Sequence, residues 1–414
     1  MKIATQANGS VHDHPLDVLI VGGGIGGLAT ALAVARAGRR VHLVEQAAEF
    51  SEIGAGLQLG PNAMRAFDQL GVYESIAAKA VFPERALIRD AVTGELLTTL
   101  QLGARCVKHF GYPYVVAHRS DILAALLEAC RAEPRITLEN NRTVVSADDT
   151  GDEARVQFTD GAIYRAATLI GADGIKSRVR RIFDTTEPTF SGQIAYRGAI
   201  DIADVPGDVS GDEVLLWIGP RVHLIQYPVR SGTMYNQVAV YDRPAGQTEP
   251  IGHLDEFDAA FAITCPEVQR AAQQIDKTRY WPVCDRTPLH TWSGQHAVLI
   301  GDAAHAMLQY LGQGACQALE DALALGDALG EHHDEPQVAF KKYEIARVER
   351  ATRCQEVARP WGALWHTNDP TLLALRNRVF RLRAADDYSD VEWLYADPTA
   401  TSDTAPTSTL KDPL

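Results

Sequence analysis

Three groups of residues have types and spacings that could do chemistry. The first is Gly22-x-Gly24-x-x-Gly27, with Glu45 beyond it. Gly22 permits a tight turn, Gly24 lets the backbone approach a pyrophosphate, and Gly27 lets a helix pack close on a strand. An acid ending the next strand can accept from a ribose diol, so the set suits an ADP moiety. The second group is a pair of acids that each close an apolar strand: Asp173 in Ala172-Asp173-Gly174, and Asp302 in Gly301-Asp302-Ala303-Ala304-His305. Asp302 can bind polyol hydroxyls, and the following Leu311-Gly312-Gln313-Gly314-Ala315 opens a helix whose amides can face an anion. Asp173 taken alone reads equally as an Asp-Gly turn. The third group is His223 and Tyr227, which with Ile225 project to one face of a strand because side chains alternate. That puts a titratable base and a phenol hydroxyl on one wall, although periodicity alone favours a satisfied core pair.

The elements that must position these groups can be read off the pattern. Residues 16–21 are almost continuously apolar, as in a strand buried on both sheet faces. An Ala-rich helix follows over 25–37, stops at Gly38, and gives way to a strand at 41–44 that delivers Glu45. A helix is predicted at 62–70, β structure over 81–104, and a helix from Ser120, its expected cap, carrying Ile122, Leu123, Leu126 and Leu127. Short strands lead to Gly171, strands dominate 194–240, a helical pattern covers 251–274, and a strand at 297–300 runs into helices reaching about residue 383.

The fold class expected is therefore α/β. A Rossmann-like nucleotide-binding domain takes residues 16–80, 105–183 and 285–345. A β-sheet substrate domain takes 81–104 and 184–284, and a helical region 346–398. Residues 1–15 and 399–414 are polar and expected to be flexible arms.

Composition narrows the function classes. A net charge of −14 over 414 residues argues against a nucleic-acid or anionic-membrane surface, though not against a locally basic pocket. No apolar run reaches the length of a membrane span and no signal-peptide core opens the chain. Six cysteines without a CxxC pair read as reduced core thiols, so a cytoplasmic location is expected. No metal site is expected, because His12-Asp13-His14 and His332-His333 read as solvated clusters.

The three motifs, in this order over roughly residues 16–395, resemble the FAD-dependent aromatic hydroxylases, single-component flavoprotein monooxygenases of the para-hydroxybenzoate hydroxylase type. The resemblance implies FAD held by Gly22, Gly24, Gly27 and Glu45 at the ADP end. It places Arg119, of His118-Arg119-Ser120-Asp121, near the ribityl–pyrophosphate region, and Asp173 and Asp302 on the cofactor. Gly312, Gln313, Gly314 and Ala315 then lie at the flavin edge. It further implies O2 as co-substrate and NADH or NADPH as reductant, whose binding is expected to be transient because the chain has one dinucleotide fingerprint. Gln309, in Leu308-Gln309-Tyr310-Leu311, stands where the family often has proline.

Within the family the chain is most similar to the 3-hydroxybenzoate 6-monooxygenases, with salicylate monooxygenases next. The likeness rests on Glu52-Ile53-Gly54-Ala55-Gly56-Leu57-Gln58, Ala195-Tyr196-Arg197-Gly198, the 218–228 segment, Asn236-Gln237-Val238-Ala239-Val240, and Trp361-Gly362-Ala363-Leu364-Trp365-His366. It implies that His223 accepts the proton of a small phenolic substrate while Tyr227 and Gln309 orient the ring for hydroxylation para to its hydroxyl. The alternatives are the same chemistry on a larger phenol or hydroxypyridine, and an FAD-dependent oxidase or dehydrogenase. Trp361, Trp365 and Trp393 could form a dimer face or pack on their own chain.

Overall fold

The computed structural model describes residues 15–50, 55–205 and 211–397. The expected arms (Pro15 apart), His12-Asp13-His14 and Glu52-Ile53-Gly54 lie outside the described residues.

Leu16–Val21 forms the central strand of the first sheet, paired in parallel with Val41–Val44 on one side and Ile163–Gly171 on the other. Ile136–Glu139 extends the sheet beyond Val41–Val44, and Ala297–Leu299 pairs in parallel with Ile163–Gly171. Because these strands run in parallel, their C-terminal ends carry Gly22, Glu45, Ala172 and Gly301 to one edge, where α/β sheets bind ligands. The helix Ile25–Arg36 covers one face of this sheet, with ten of its twelve residues buried. It packs so closely on the helix Gly314–Glu331 that a Cβ on Gly326 would lie 2.7 Å from the Ala33 Cβ.

The second sheet also has seven strands, in the order Trp281–Asp285, Thr189–Asp201, Met234–Asp242, Val222–Val229, Glu213–Gly219, Arg85–Asp90 and Leu96–Gln101. All neighbours are antiparallel except Arg85–Asp90 against Glu213–Gly219. A two-stranded ribbon, Gly56–Leu59 with Val115–His118, lies between the layers. There the Gly56 amide donates to Asn236 Oδ1 at 2.6 Å, and a Cβ on Gly56 would strike the Tyr227 ring at 2.4 Å.

Two expectations are corrected. Ser120 is not the cap of its helix: the helix is Arg119–Ala132, and the His118 ring accepts from the Ser120 amide instead. The pattern over 251–274 is two helices, Leu254–Phe261 and Pro266–Gln274, because Pro266 has no N–H to continue a helix and is suited to starting one.

The long helix Pro336–His366 is fastened by buried charge. Arg347 donates to Asp321 Oδ1 at 2.8 Å, and Asp321 Oδ2 lies 2.5 Å from His305 Nε2. Burial works to raise the Asp321 carboxyl, but His305 and Arg347 override it and hold it at about 2. Trp365 is buried, and Trp361 and Trp393 pack against core clusters of their own chain. All six cysteines are unpaired; five are buried and Cys284 half-buried. Burial pushes every one of these thiols up, to about 11 for Cys106 and about 12 for Cys130, Cys316 and Cys354. Among the described residues no helix is long and apolar enough to cross a membrane.

Candidate active site

A cavity of about 720 Å³ runs along the C-terminal edge of the first sheet to the face of the second. Its walls include Gly22, Gly24, Glu45, Arg119, Asp173, Asp302, Gly312, Gln313, Gly314, Ala315, Tyr227 and Gln309. Arg142, Lys176, Arg178 and Arg197 add basic lining, so the cavity is locally cationic in an acidic chain.

At the nucleotide end the geometry is mostly backbone. Gly22 has φ +111°, and a Cβ there would lie 2.3 Å from the Ala172 carbonyl oxygen. A Cβ on Gly27 would come within 1.9 Å of the Gly22 carbonyl oxygen. Glu45 is fixed by two amides, Oε2 accepting from Gly23 at 2.7 Å and Oε1 from Ala47 at 2.9 Å. The helices starting at Ile25 and Gly314 both open on the cavity, and neither has a side-chain cap. Their first-turn amides therefore need an acceptor from elsewhere, which a diphosphate and an anionic flavin edge would supply. The residues present fit FAD.

Asp302 opens the short helix Asp302–His305 and is exposed to the cavity, after Gly301 in the left-handed region (φ +55°). Gln313 lies on the wall, but its side-chain oxygen accepts from Asn62 and Gln317, both at 3.0 Å, leaving its backbone for a ligand. Asp173 behaves as the local alternative predicts: its carboxylate accepts from Ser177 Oγ at 2.5 Å and the Arg178 amide at 2.6 Å, closing the next turn. Arg119 reaches the wall from the first position of its helix.

The far end is built from side chains. Ile225, Val238, Met307 and Leu308 make an apolar wall; Tyr227 joins it, with Arg197 beside it, its guanidinium 4.3 Å from the Trp281 ring centroid. Burial pushes the Tyr227 hydroxyl up, an effect that Arg197 partly offsets. His223 is fully buried and does not reach the wall. Gln309 lies between, on the turn Gln309–Leu311, with its Nε2 3.5 Å from His223 Nε2. The expected trio is thus assembled as a pair, His223 with Gln309, and a separate Tyr227 further along the strand.

Behind His223 stand two residues that the sequence reading missed. His223 Nδ1 lies 2.6 Å from His366 Nε2, and His366 Nδ1 lies 2.6 Å from Asp242 Oδ1. Burial, then His366, drives the His223 pKa well below the ordinary histidine value, so this ring is neutral at neutral pH. A signal for Asp242 was available. Strands 222–229 and 234–242 form a hairpin in which His223 faces Val240, so Asp242, two residues on, shares its face. His366 comes from a helix end, and no local pattern announces it.

Comparison with known proteins places this geometry. The FAD binding domain family model matches residues 15–358. A 3-hydroxybenzoate 6-hydroxylase of Klebsiella oxytoca is 38% identical over 380 residues, covering 91% of this chain and 96% of that one. A 3-amino-4-hydroxybenzoate 2-monooxygenase of Streptomyces cremeus is 32% identical, covering 92% and 95%. A salicylate hydroxylase solved with its substrate superposes with a TM-score of 0.75 at 26% identity, covering 92% of this chain and 95% of that one.

Proposed function

The chain belongs to the FAD binding domain family and is an FAD-dependent aromatic hydroxylase using NAD(P)H and O2; from that premise we propose that its substrate is a small hydroxybenzoate, hydroxylated para to its hydroxyl. When bound, the flavin supplies electron transfer from the nicotinamide and activation of oxygen. Gly22, Gly24, Gly27 and Glu45 would hold the ADP part, Arg119 and Asp302 the middle, with Asp173 on the same wall closing its own turn, and residues 312–315 the flavin edge. The second sheet contributes the substrate wall.

The observation that carries this reading is Gln309, on the cavity wall and against a buried, neutral His223. A phenol ionises near ~10, so it needs a base at neutral pH, and a neutral imidazole can take its proton. Once the Gln309 amide turns aside, the substrate hydroxyl meets His223 Nε2. Withdrawing that proton raises electron density at the para carbon. Tyr227 and Gln309 hold the ring between polar contacts, and Arg197 offers a cation to the substrate carboxylate.

The experiment is a panel of hydroxybenzoates and hydroxypyridines, scoring stimulated NADH and NADPH oxidation with product NMR. Coupled turnover of 3-hydroxybenzoate to the para product is expected. Preference for a hydroxypyridine or larger phenol would move the substrate, and NADH use without aromatic stimulation would favour an oxidase. The protein is proposed to be cytoplasmic, supported by its unpaired thiols. A homodimer is also proposed, seated on the exposed apolar face of Leu372, Leu375, Val379 and Leu382 and checked by light scattering behind gel filtration.

A further inference from the structure

Two buried histidines and a half-buried carboxylate extend from behind Gln309 to the surface: His223, His366 and Asp242. We propose that Asp242 and His366 are positioning residues that fix His223 in the one tautomer presenting a bare Nε2 to Gln309, the residue between it and the cavity, and that the same chain receives the proton His223 takes up. This rests on the reading of His223 as the base.

Asp242 Oδ1 accepts from Gln193 Nε2 at 2.8 Å and faces His366 Nδ1 at 2.6 Å. A carboxylate only accepts, so His366 must carry its proton on Nδ1 and leave Nε2 as a lone pair. That lone pair faces His223 Nδ1 at 2.6 Å, so the proton of His223 sits on Nδ1. His223 Nε2 is then bare, and it points at the donor amide of Gln309. One acid thus sets both tautomers.

The proton movement balances without a change in oxidation state. The substrate O–H bond breaks as His223 Nε2–H forms; His223 Nδ1–H breaks as His366 Nε2–H forms. The positive charge comes to rest on His366 beside the Asp242 carboxylate rather than on fully desolvated His223. Return of the proton to the product oxygen restores both tautomers. Asp242 is the outer end, with its side chain 29% exposed where His223 has no exposure.

The groups packed around the chain leave it intact. Arg221 donates to the Asp242 and Arg243 carbonyls, Arg376 to the Trp365 carbonyl, and Arg376 also pairs with Asp90. Tyr310 donates to Gln193 Oε1 at 2.5 Å, tying Asp242 back to the turn that carries Gln309. The other buried His–Asp pair makes a useful contrast. His305 and Asp321 are both fully buried, and His305 Nδ1 meets no hydrogen-bond partner among the described residues, so that pair leads nowhere.

The test uses the FAD-loaded full chain, with Asp242→Asn and His366→Gln, and measures kcat for coupled hydroxylation from pH 6 to 10. Each variant is expected to lose ~10²-fold or more at pH 7, since general-base catalysis contributes ~10²–10⁴-fold. FAD affinity and KM should hold within about threefold, and kcat should climb toward wild type as pH approaches the phenol's own ionisation. A substrate whose phenol is acidified by fluorine should restore the rate at pH 7. Wild-type kcat in both variants overturns the relay. So does a loss equal at every pH, or one confined to KM or FAD binding. If wild-type protein hydroxylates but His223→Ala does so equally well, the base assignment itself falls; if wild type hydroxylates no phenol, both readings fall.

Discussion

The two ends of the cavity hold their ligands by different means. The nucleotide end is made of backbone: Gly22 and Gly27 in contact with neighbouring carbonyls, two uncapped helix starts, and one acid fixed by amides. The reaction end is made of side chains drawn from 197, 223, 227, 242, 309 and 366, delivered by five separate stretches of chain. Backbone recognition tolerates almost any sequence that preserves the turn but no added atom within it. Side-chain chemistry tolerates packing changes but not the loss of a titrating group. Damage at the first end should therefore appear as lost protein, and at the second as lost rate.

The sharpest way to break that contrast is Gly27→Ala. Its Cβ would lie 1.9 Å from a backbone oxygen that cannot step aside, so folded, yellow protein should not accumulate. Flavin absorbance in the purified soluble fraction reads it directly. Full-strength absorbance would show the turn to be more pliant than its geometry.

Next in size is His223→Ala, expected to keep FAD and lose ~10²–10⁴-fold in coupled hydroxylation. Product formed per NADH consumed is the measurement, and wild-type coupling would remove the base.

Glu45→Gln is milder. Charge-assisted hydrogen bonds contribute ~1.5–3 kcal/mol, so FAD Kd should rise ~10–100-fold while kcat at saturating FAD stays unchanged. A fall in kcat instead would mean that the ends are coupled.

The smallest effect is on stability against pH. His223 has a folded pKa below its unfolded value near ~6.5, so the unfolded chain binds the extra proton first. Its contribution is present above ~6.5 and lost as pH falls from there toward the depressed value. Melting temperatures between pH 7.5 and 5 should drop more steeply for wild type than for His223→Gln; parallel curves would mean that this ring does not set the slope.

The same contrast explains what could be read from sequence. The glycine fingerprint, Glu45 and the 301–315 run were legible because each is a local pattern whose function lies in its own backbone. The strand at 41–44 forms residue for residue as its apolar pattern predicts, whereas Ser120 reads as a cap because a hydroxyl is the usual one and a histidine ring is not. His223 and Tyr227 were found through a two-residue period, but that period says nothing of depth, and His223 proved to sit behind Gln309. Asp242 needed the hairpin register, and His366 needed the end point of a 31-residue helix that crosses beneath the site.

A flavoprotein that fails to couple oxygen to its substrate releases hydrogen peroxide into its own interior. Peroxide oxidises thiolates, hardly thiols. With Cys316 only two residues along the helix that starts at Gly314, and with burial holding all six sulfurs in their protonated form, this molecule sits beside a source of oxidant while offering it little to attack.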